Sequence, residues 1–105
     1  MRLMISGNIQ NMVPVIRDYL ASQPVDKAWL FGSCSRGEEQ PDSDIDILVR
    51  YTDGETVSLF SISHMMTSLS HLLGRKVDLV EDGCLMPFAH ESVERDKILI
   101  YERAN

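Results

Sequence analysis

The sequence predicts an α+β domain, a mixed β-sheet of about four strands with helices packed mainly on one face. Two patterns and one bound predict it. Four short apolar stretches, Lys27–Phe31, Asp44–Arg50, Lys76–Val80 and Ile98–Tyr101, have strand length and end at turn residues or polar residues. Two longer stretches, residues 1–22 and Val57–Leu73, space their apolar residues by three and four, as helices that bury one side do. A length of 105 residues bounds the whole to a single domain, residues 1–105, with a modest core.

In the first helical stretch the stripe is Ile9, Met12, Val13, Ile16, Tyr19 and Leu20, and Ser6 stands where a cap would. Pro14 interrupts it, either as the first turn of a second helix or as a kink in one long helix. Ser22-Gln23-Pro24 ends the segment. In Lys27–Phe31 the side chains of Trp29 and Phe31 share one face, and Ala28 and Leu30 the other. Trp29 is read as core; the rival role is stacking on a base. The strand runs into Gly32-Ser33, which opens a short segment closing at Arg36-Gly37, and Glu38–Asp42 is a polar turn. In the next strand Ile45, Ile47 and Val49 line one face, while Asp44 and Asp46 point together to the other.

Asp53-Gly54 marks a turn. The longest helix, Val57–Leu73, turns Leu59, Ile62, Met66, Leu69 and Leu73 inward, with Phe60, Met65 and Leu72 widening the apolar arc. Gly74 stops it in a left-handed cap. In Lys76–Val80, Val77 and Leu79 face one way, and Lys76 and Asp78 the other. Asp82-Gly83 is a turn, Leu85–Asp96 a further helix with Pro87 in its first turn, Ile98–Tyr101 the last strand, and Glu102–Asn105 a frayed tail.

The chemistry concentrates between Gly32 and Val49. Two carboxylates side by side on a half-buried strand repel each other unless something positive joins them. A divalent cation is the natural counterion, and an all-oxygen site suits Mg²⁺ or Mn²⁺. Upstream, the free backbone N–H groups of a Gly32-Ser33 nest would hold a phosphate, Gly32 by letting backbone approach it and Ser33 through its hydroxyl. The plainer role for Ser33 is a helix cap. Arg36 either contacts phosphate or pairs with an acid to brace the loop. An acid central in so short an apolar strand as KVDLV also needs a partner. Asp78 either completes a three-carboxylate cluster, if its strand neighbours Asp44–Val49, or forms an ordinary ion pair with a Lys or Arg. Paired acids beside a phosphate nest indicate phosphoryl or nucleotidyl transfer.

The order Gly32-Ser33, Arg36-Gly37, then Ser43-Asp44 and Asp46 ahead of an apolar strand resembles the minimal nucleotidyltransferases, small relatives of the DNA polymerase beta-type nucleotidyltransferase superfamily. A third family carboxylate stands alone on a later strand, and Asp78 matches it. Ser35 departs from the pattern, since the family usually has a small apolar residue before Arg-Gly. The resemblance covers most of the chain and implies the nucleotidyltransferase fold with its sheet order. It implies Mg-dependent transfer of AMP from ATP to a hydroxyl. Asp44, Asp46 and Asp78 would be the catalytic residues and the ligands of two Mg²⁺ ions, or Mn²⁺ in their place; Gly32, Ser33 and Arg36 would hold the nucleotide. Such proteins are commonly encoded beside small helical HEPN proteins as toxin–antitoxin pairs, so the implied acceptor is a tyrosine of a HEPN-type toxin and the implied role is antitoxin. The alternatives are a binding antitoxin without catalysis and transfer to a small-molecule hydroxyl, whose family members usually carry a larger accessory region. A metal-dependent nuclease also uses paired acids, but the Gly32-Ser33 nest favours a triphosphate.

Charge narrows the partners. Sixteen Asp and Glu against ten Lys and Arg give a formal charge of −6, which excludes the basic stripe that long nucleic acid requires. A nucleoside triphosphate remains compatible, because a divalent cation neutralises its phosphates. No span approaches the roughly 18 apolar residues of a membrane helix, and residues 1–7 are too short for a signal peptide, so a cytoplasmic location without membrane contact is expected. Cys34 and Cys84 lack metal spacing and do not suggest a disulfide framework. His64, His71 and His90 form no zinc motif, and His64 and His71 are read as surface or packing residues.

Overall fold

Fourteen residues near the start form one helix, α1 (Gly7–Leu20), which runs through Pro14 without a break. Pro14 is exposed, so its ring meets solvent and not the core. A proline inside a helix costs about 3 kcal/mol. Burial of Ile9, Ile16 and Leu20, each 0–1% exposed, offsets it at about 1.5–3 kcal/mol apiece. The computed structural model describes residues 7–32, 44–52, 57–82 and 93–104. The expected Ser6 cap, the Asp53-Gly54 turn and the start of the Leu85–Asp96 helix lie outside them; that helix is described only as a turn over residues 93–96.

After α1 come β1 (Val25–Phe31), β2 (Ile45–Tyr51), α2 (Leu59–Leu73), β3 (Val77–Glu81) and β4 (Ile98–Glu102). The strands form one sheet in the order β3-β2-β1-β4. β1 pairs antiparallel with β2 and with β4, while β2 and β3 run parallel, so the sheet is mixed as expected. The parallel pair is possible because α2 supplies the crossover between β2 and β3. β1 begins two residues before the Lys27 start read from the sequence, at the fully buried Val25.

Period two sorts the strand residues as expected. Ala28, Leu30, Ile45, Ile47, Val49 and Val77 join α1 and α2 in one core. Trp29, Leu48 and Val93 form a smaller cluster on the opposite face, with Phe31 and Val80 against it. The two long helices thus share one face, and the turn carrying Val93 closes part of the other. Trp29 is 8% exposed and packed with Leu48 and Val93, so it is core and not a stacking platform.

Ser58 caps α2 by accepting from the Ser61 N–H at 3.1 Å. Gly74 ends it at φ 68°, its N–H donating to the Ser70 carbonyl at 2.9 Å, the left-handed stop expected there. The buried side of α2 is the expected one in part, with Leu69 buried and Ile62 and Leu73 packed against the core. Met65 and Leu69 are buried, whereas Leu59 is 81% and Phe60 89% exposed, and Leu72 is also exposed. The tail differs too. Glu102 belongs to β4, and Arg103 is anchored: its N–H donates to the Asp26 carbonyl at 2.8 Å and its guanidinium to the carbonyls of Val25 and Gln23. Those carbonyls lie in and beside the turn before β1, so a charged donor at the chain end locks that turn.

Candidate active site

β1 delivers its last residue to a turn that only glycine fits. Gly32 has φ 71°, the left-handed region that a Cβ disfavours. A Cβ there would also stand 2.5 Å from Asp46 Oδ2. Asp46 meets this turn because Phe31 and Asp46 are register partners across β1 and β2. On its other side Asp46 is the register partner of Asp78 across the parallel β2–β3 pair. The carboxyl-bearing residue of β2 therefore lies between the end of β1 and the acid of β3. Neighbouring strands are about 4.8 Å apart, so three adjacent strands bring Gly32, Asp46 and Asp78 into one row.

Asp44 precedes β2 by one residue and is exposed. The Ile45 N–H donates to the Lys76 carbonyl at 2.9 Å, which sets Lys76 beside Asp44. Lys76 Nζ stands 3.8 Å from Asp44 Oδ2, with side chains 70% and 45% exposed. Such an exposed pair contributes about 0–1 kcal/mol. Asp78 is half-buried and makes no ion pair or side-chain hydrogen bond with the described residues. The ordinary ion-pair role for Asp78 is thus absent among the described residues, and the neighbouring lysine goes to Asp44 instead. This pairing was missed in the sequence; its signal is the match of Lys76-x-Asp78 with Asp44-x-Asp46 once the strands run parallel.

The three acids share the face that α1 and α2 leave uncovered. Their donor set is carboxylate oxygen, which suits a hard cation such as Mg²⁺ and not a thiolate or imidazole metal. Among the described residues no three His, Cys, Asp or Glu side chains gather closely enough to hold a metal ion. Like charges have no reason to converge without a cation between them. His64 and His71 are exposed on α2, as read. Ser33 and Arg36, the other expected nucleotide-binding residues, lie outside the described residues, as do Gly37 and Ser43. No helix among the described residues is long and apolar enough to cross a membrane.

The comparisons agree with this geometry. Residues 15–105 match the model of the polymerase beta nucleotidyltransferase family. The chain is similar to the inferred protein adenylyltransferase MJ1217 of Methanocaldococcus jannaschii, 42% identical over 72 residues, which span 68% of this chain and 71% of that protein. It superimposes on a solved structure assigned as a minimal nucleotidyltransferase with a TM-score of 0.71 and 32% identity, covering 86% of this chain and 90% of that one. Its fold also resembles a chain in the complex of an MNT antitoxin with the tri-AMPylated HEPN toxin of Shewanella oneidensis, with a TM-score of 0.61 and 22% identity over 91% of this chain and 71% of that one. With its family match running from α1 to the C-terminus, and with a one-residue-spaced acid pair set beside a glycine turn, this chain belongs to the polymerase beta nucleotidyltransferase family.

Proposed function

We propose that this chain transfers AMP from ATP to a tyrosine hydroxyl of a small helical HEPN-type partner, and acts as the antitoxin of that pair. One observation supports the reading above all: Asp46 lies between the Gly32 turn and Asp78 on the uncovered face of the sheet. The adenylyltransferase relative and the AMPylated toxin complex point to the donor group and to the class of acceptor.

Asp44 and Asp46 would hold both divalent cations, and Asp78 would hold the one that activates the acceptor. Mg²⁺, or Mn²⁺ in its place, supplies when bound the charge that neutralises the triphosphate and lowers the pKa of the acceptor hydroxyl. Gly32, lacking a side chain, lets the β- and γ-phosphates approach the backbone, and Ser33 and Arg36 hold their oxygens. Asp78 orients the acceptor hydroxyl. The acceptor oxygen bonds to the α-phosphorus while the bond from that phosphorus to the bridging oxygen of the β-phosphate breaks. The electron pair leaves with pyrophosphate, and the hydroxyl proton passes to Asp78 and on to solvent. The protein's part is to position and to neutralise charge.

The test is the intact mass of the HEPN-type partner after incubation with ATP and Mg²⁺, followed by separation of the two proteins. The wild type adds at least one AMP, and the partner stays inactive after separation. Asp44→Asn with Asp46→Asn leaves the partner mass unchanged, because neutral amides are weaker ligands for hard cations. The double variant still folds, since neither side chain belongs to the hydrophobic core and Asn keeps the size and much of the hydrogen-bonding shape of Asp while removing the repulsion between the two charges. Lasting inactivation by both proteins with no mass change would refute the enzyme and leave a binding antitoxin.

A further inference from the structure

Helix α2 carries no charge on its outer face. Its 15 residues, Leu59–Leu73, include no Asp, Glu, Lys or Arg, in a chain that is 25% charged. Phe60 is almost wholly exposed on that face, and Leu59 and Leu72 are exposed beside it. We infer that this face is an interaction surface for a second copy of the chain, two α2 helices packing antiparallel about a twofold axis. The inference does not depend on the AMP-transfer reading.

The spacing of the exposed residues carries the argument. Phe60, His64, Thr67 and His71 are all exposed. On a helix of about 3.6 residues per turn they fall within about 60° of one another and form one stripe. Leu59 and Leu72 flank the stripe on either side and widen its apolar surface. The intervals along the stripe are four, three and four, so it reads the same from either end. A twofold contact is self-complementary: whatever one residue meets on the other copy is met in return. An antiparallel pair centred between Met65 and Met66 sets Phe60 level with His71 of the second copy, and His64 level with Thr67. Two rings then meet at each end of the contact, and the small Thr67 lets the helix axes come close near its centre.

Charge points to a second copy over an unrelated protein. Each copy has a formal charge of −6, so a twofold contact through an acidic patch would set like charges against like. A charge-free stripe is the surface on which two such copies meet without that cost, and charged residues are depleted at the centre of protein interfaces. A partner selected by electrostatic complementarity would need acids or bases to read here, and α2 offers none. Position agrees with charge. Met65 and Leu69 of α2 share one core with Ile45, Ile47 and Val49, so α2 covers the side of β2 from which Asp46 points away. A copy docked on the outside of α2 therefore blocks neither row of acids.

The experiment is sedimentation velocity on the unliganded chain over a range of concentrations. The wild type is expected to pass from one copy to two as concentration rises. Phe60→Glu is expected to raise the dissociation constant at least tenfold. That variant keeps the fold, because Phe60 lies outside the core and glutamate is a good helix former that suits a first helical turn; thermal melts at the lowest concentration check it. Adding His71→Lys to Phe60→Glu sets opposite charges level across the twofold and is expected to restore pairing. The two positions are about 16 Å apart along one helix, so the rescue cannot arise within a single copy. Leu99→Glu, on the edge strand β4, is expected to leave pairing unchanged. A wild type that stays one copy at every concentration would overturn the inference. Pairing lost in Leu99→Glu and kept in Phe60→Glu would overturn it too, and so would the absence of rescue by His71→Lys. A single-copy wild type whose complex with a HEPN-type protein is lost in Phe60→Glu would assign the stripe to that protein instead.

Discussion

Gly32→Ala is the sharpest single perturbation of the site, because two separable penalties meet at one atom. The first is conformational. At φ 71° an L-residue is strained by about 1–2 kcal/mol. The second is steric: the new Cβ falls 2.5 Å from Asp46 Oδ2, nearer than real Cβ contacts occur, while the Asp46 Cγ and Cβ stay at 3.5 and 3.7 Å. The carboxylate must therefore rotate away, and an off-rotamer side chain costs about 0.5–1.5 kcal/mol. The sum is about 1.5–3.5 kcal/mol, or a fall in Tm of roughly 6–28 °C for a domain of this size. Gly74→Ala is the built-in control, since φ is 68° there and nothing lies within 4 Å of the added Cβ. It should cost only the conformational part. Thermal melts of wild type, Gly32→Ala, Asp46→Ala and the double variant separate the two penalties. In the Asp46→Ala background the cost of Gly32→Ala should drop to that of Gly74→Ala. Mn²⁺ titration by electron paramagnetic resonance should show affinity at least tenfold weaker in Gly32→Ala, because Asp46 has been turned aside. Costs that add within about 0.5 kcal/mol in the cycle would show that Asp46 does not lean on the turn, and would refute the reasoning.

Two further variants address the surroundings. Lys76→Met removes a cation 3.8 Å from Asp44 and is expected to change stability by less than about 1 kcal/mol. At low salt it should raise Mn²⁺ affinity several-fold, since a competing charge at that distance is worth about 1 kcal/mol in water, and the gain should shrink as salt screens it; affinity equal to wild type at every ionic strength would refute the competition. Arg103→Ala breaks charged donations to the carbonyls of Val25 and Gln23 and is expected to cost about 2–3 kcal/mol in denaturant unfolding. AMP-PNP affinity should not change, and a stability equal to wild type would show that the chain end does not lock the turn before β1.

Much of this molecule is legible in its sequence because strand alternation is a strict rule. Ile45, Ile47 and Val49 must turn together, so Asp44 and Asp46 must turn the other way, and the structure has them so. Helix α2 is less legible for a physical reason. Its apolar residues cover more than half of the helix circumference, and a period of 3.6 then fails to choose among them. Phe60 is nine residues before Leu69, about 180° round the helix, so burying Leu69 sends Phe60 to solvent. The Arg103 anchor was illegible because its partners are about eighty residues away in the chain, at carbonyls that every residue possesses. The Asp44–Lys76 pair needed the register of two parallel strands, which no local pattern supplies.

The placement of the acids separates stability from chemistry. On β2, Ile45, Ile47 and Val49 are fully buried under α1 and α2, while Asp46 faces away from both helices. Changing its charge leaves the large core untouched. Two residues further along the same face, Leu48 is fully buried with Trp29 and Val93, and Lys97 Nζ stands 4.4 Å from the Trp29 ring. Among the described residues, that face is therefore closed over its β1–β2 middle and not covered where β2 and β3 begin. At that end β1 finishes at Gly32, because β1 is antiparallel to β2. One strand's end and two strands' beginnings thus meet at the same edge of the sheet, which sets the Gly32 turn in one row with Asp46 and Asp78.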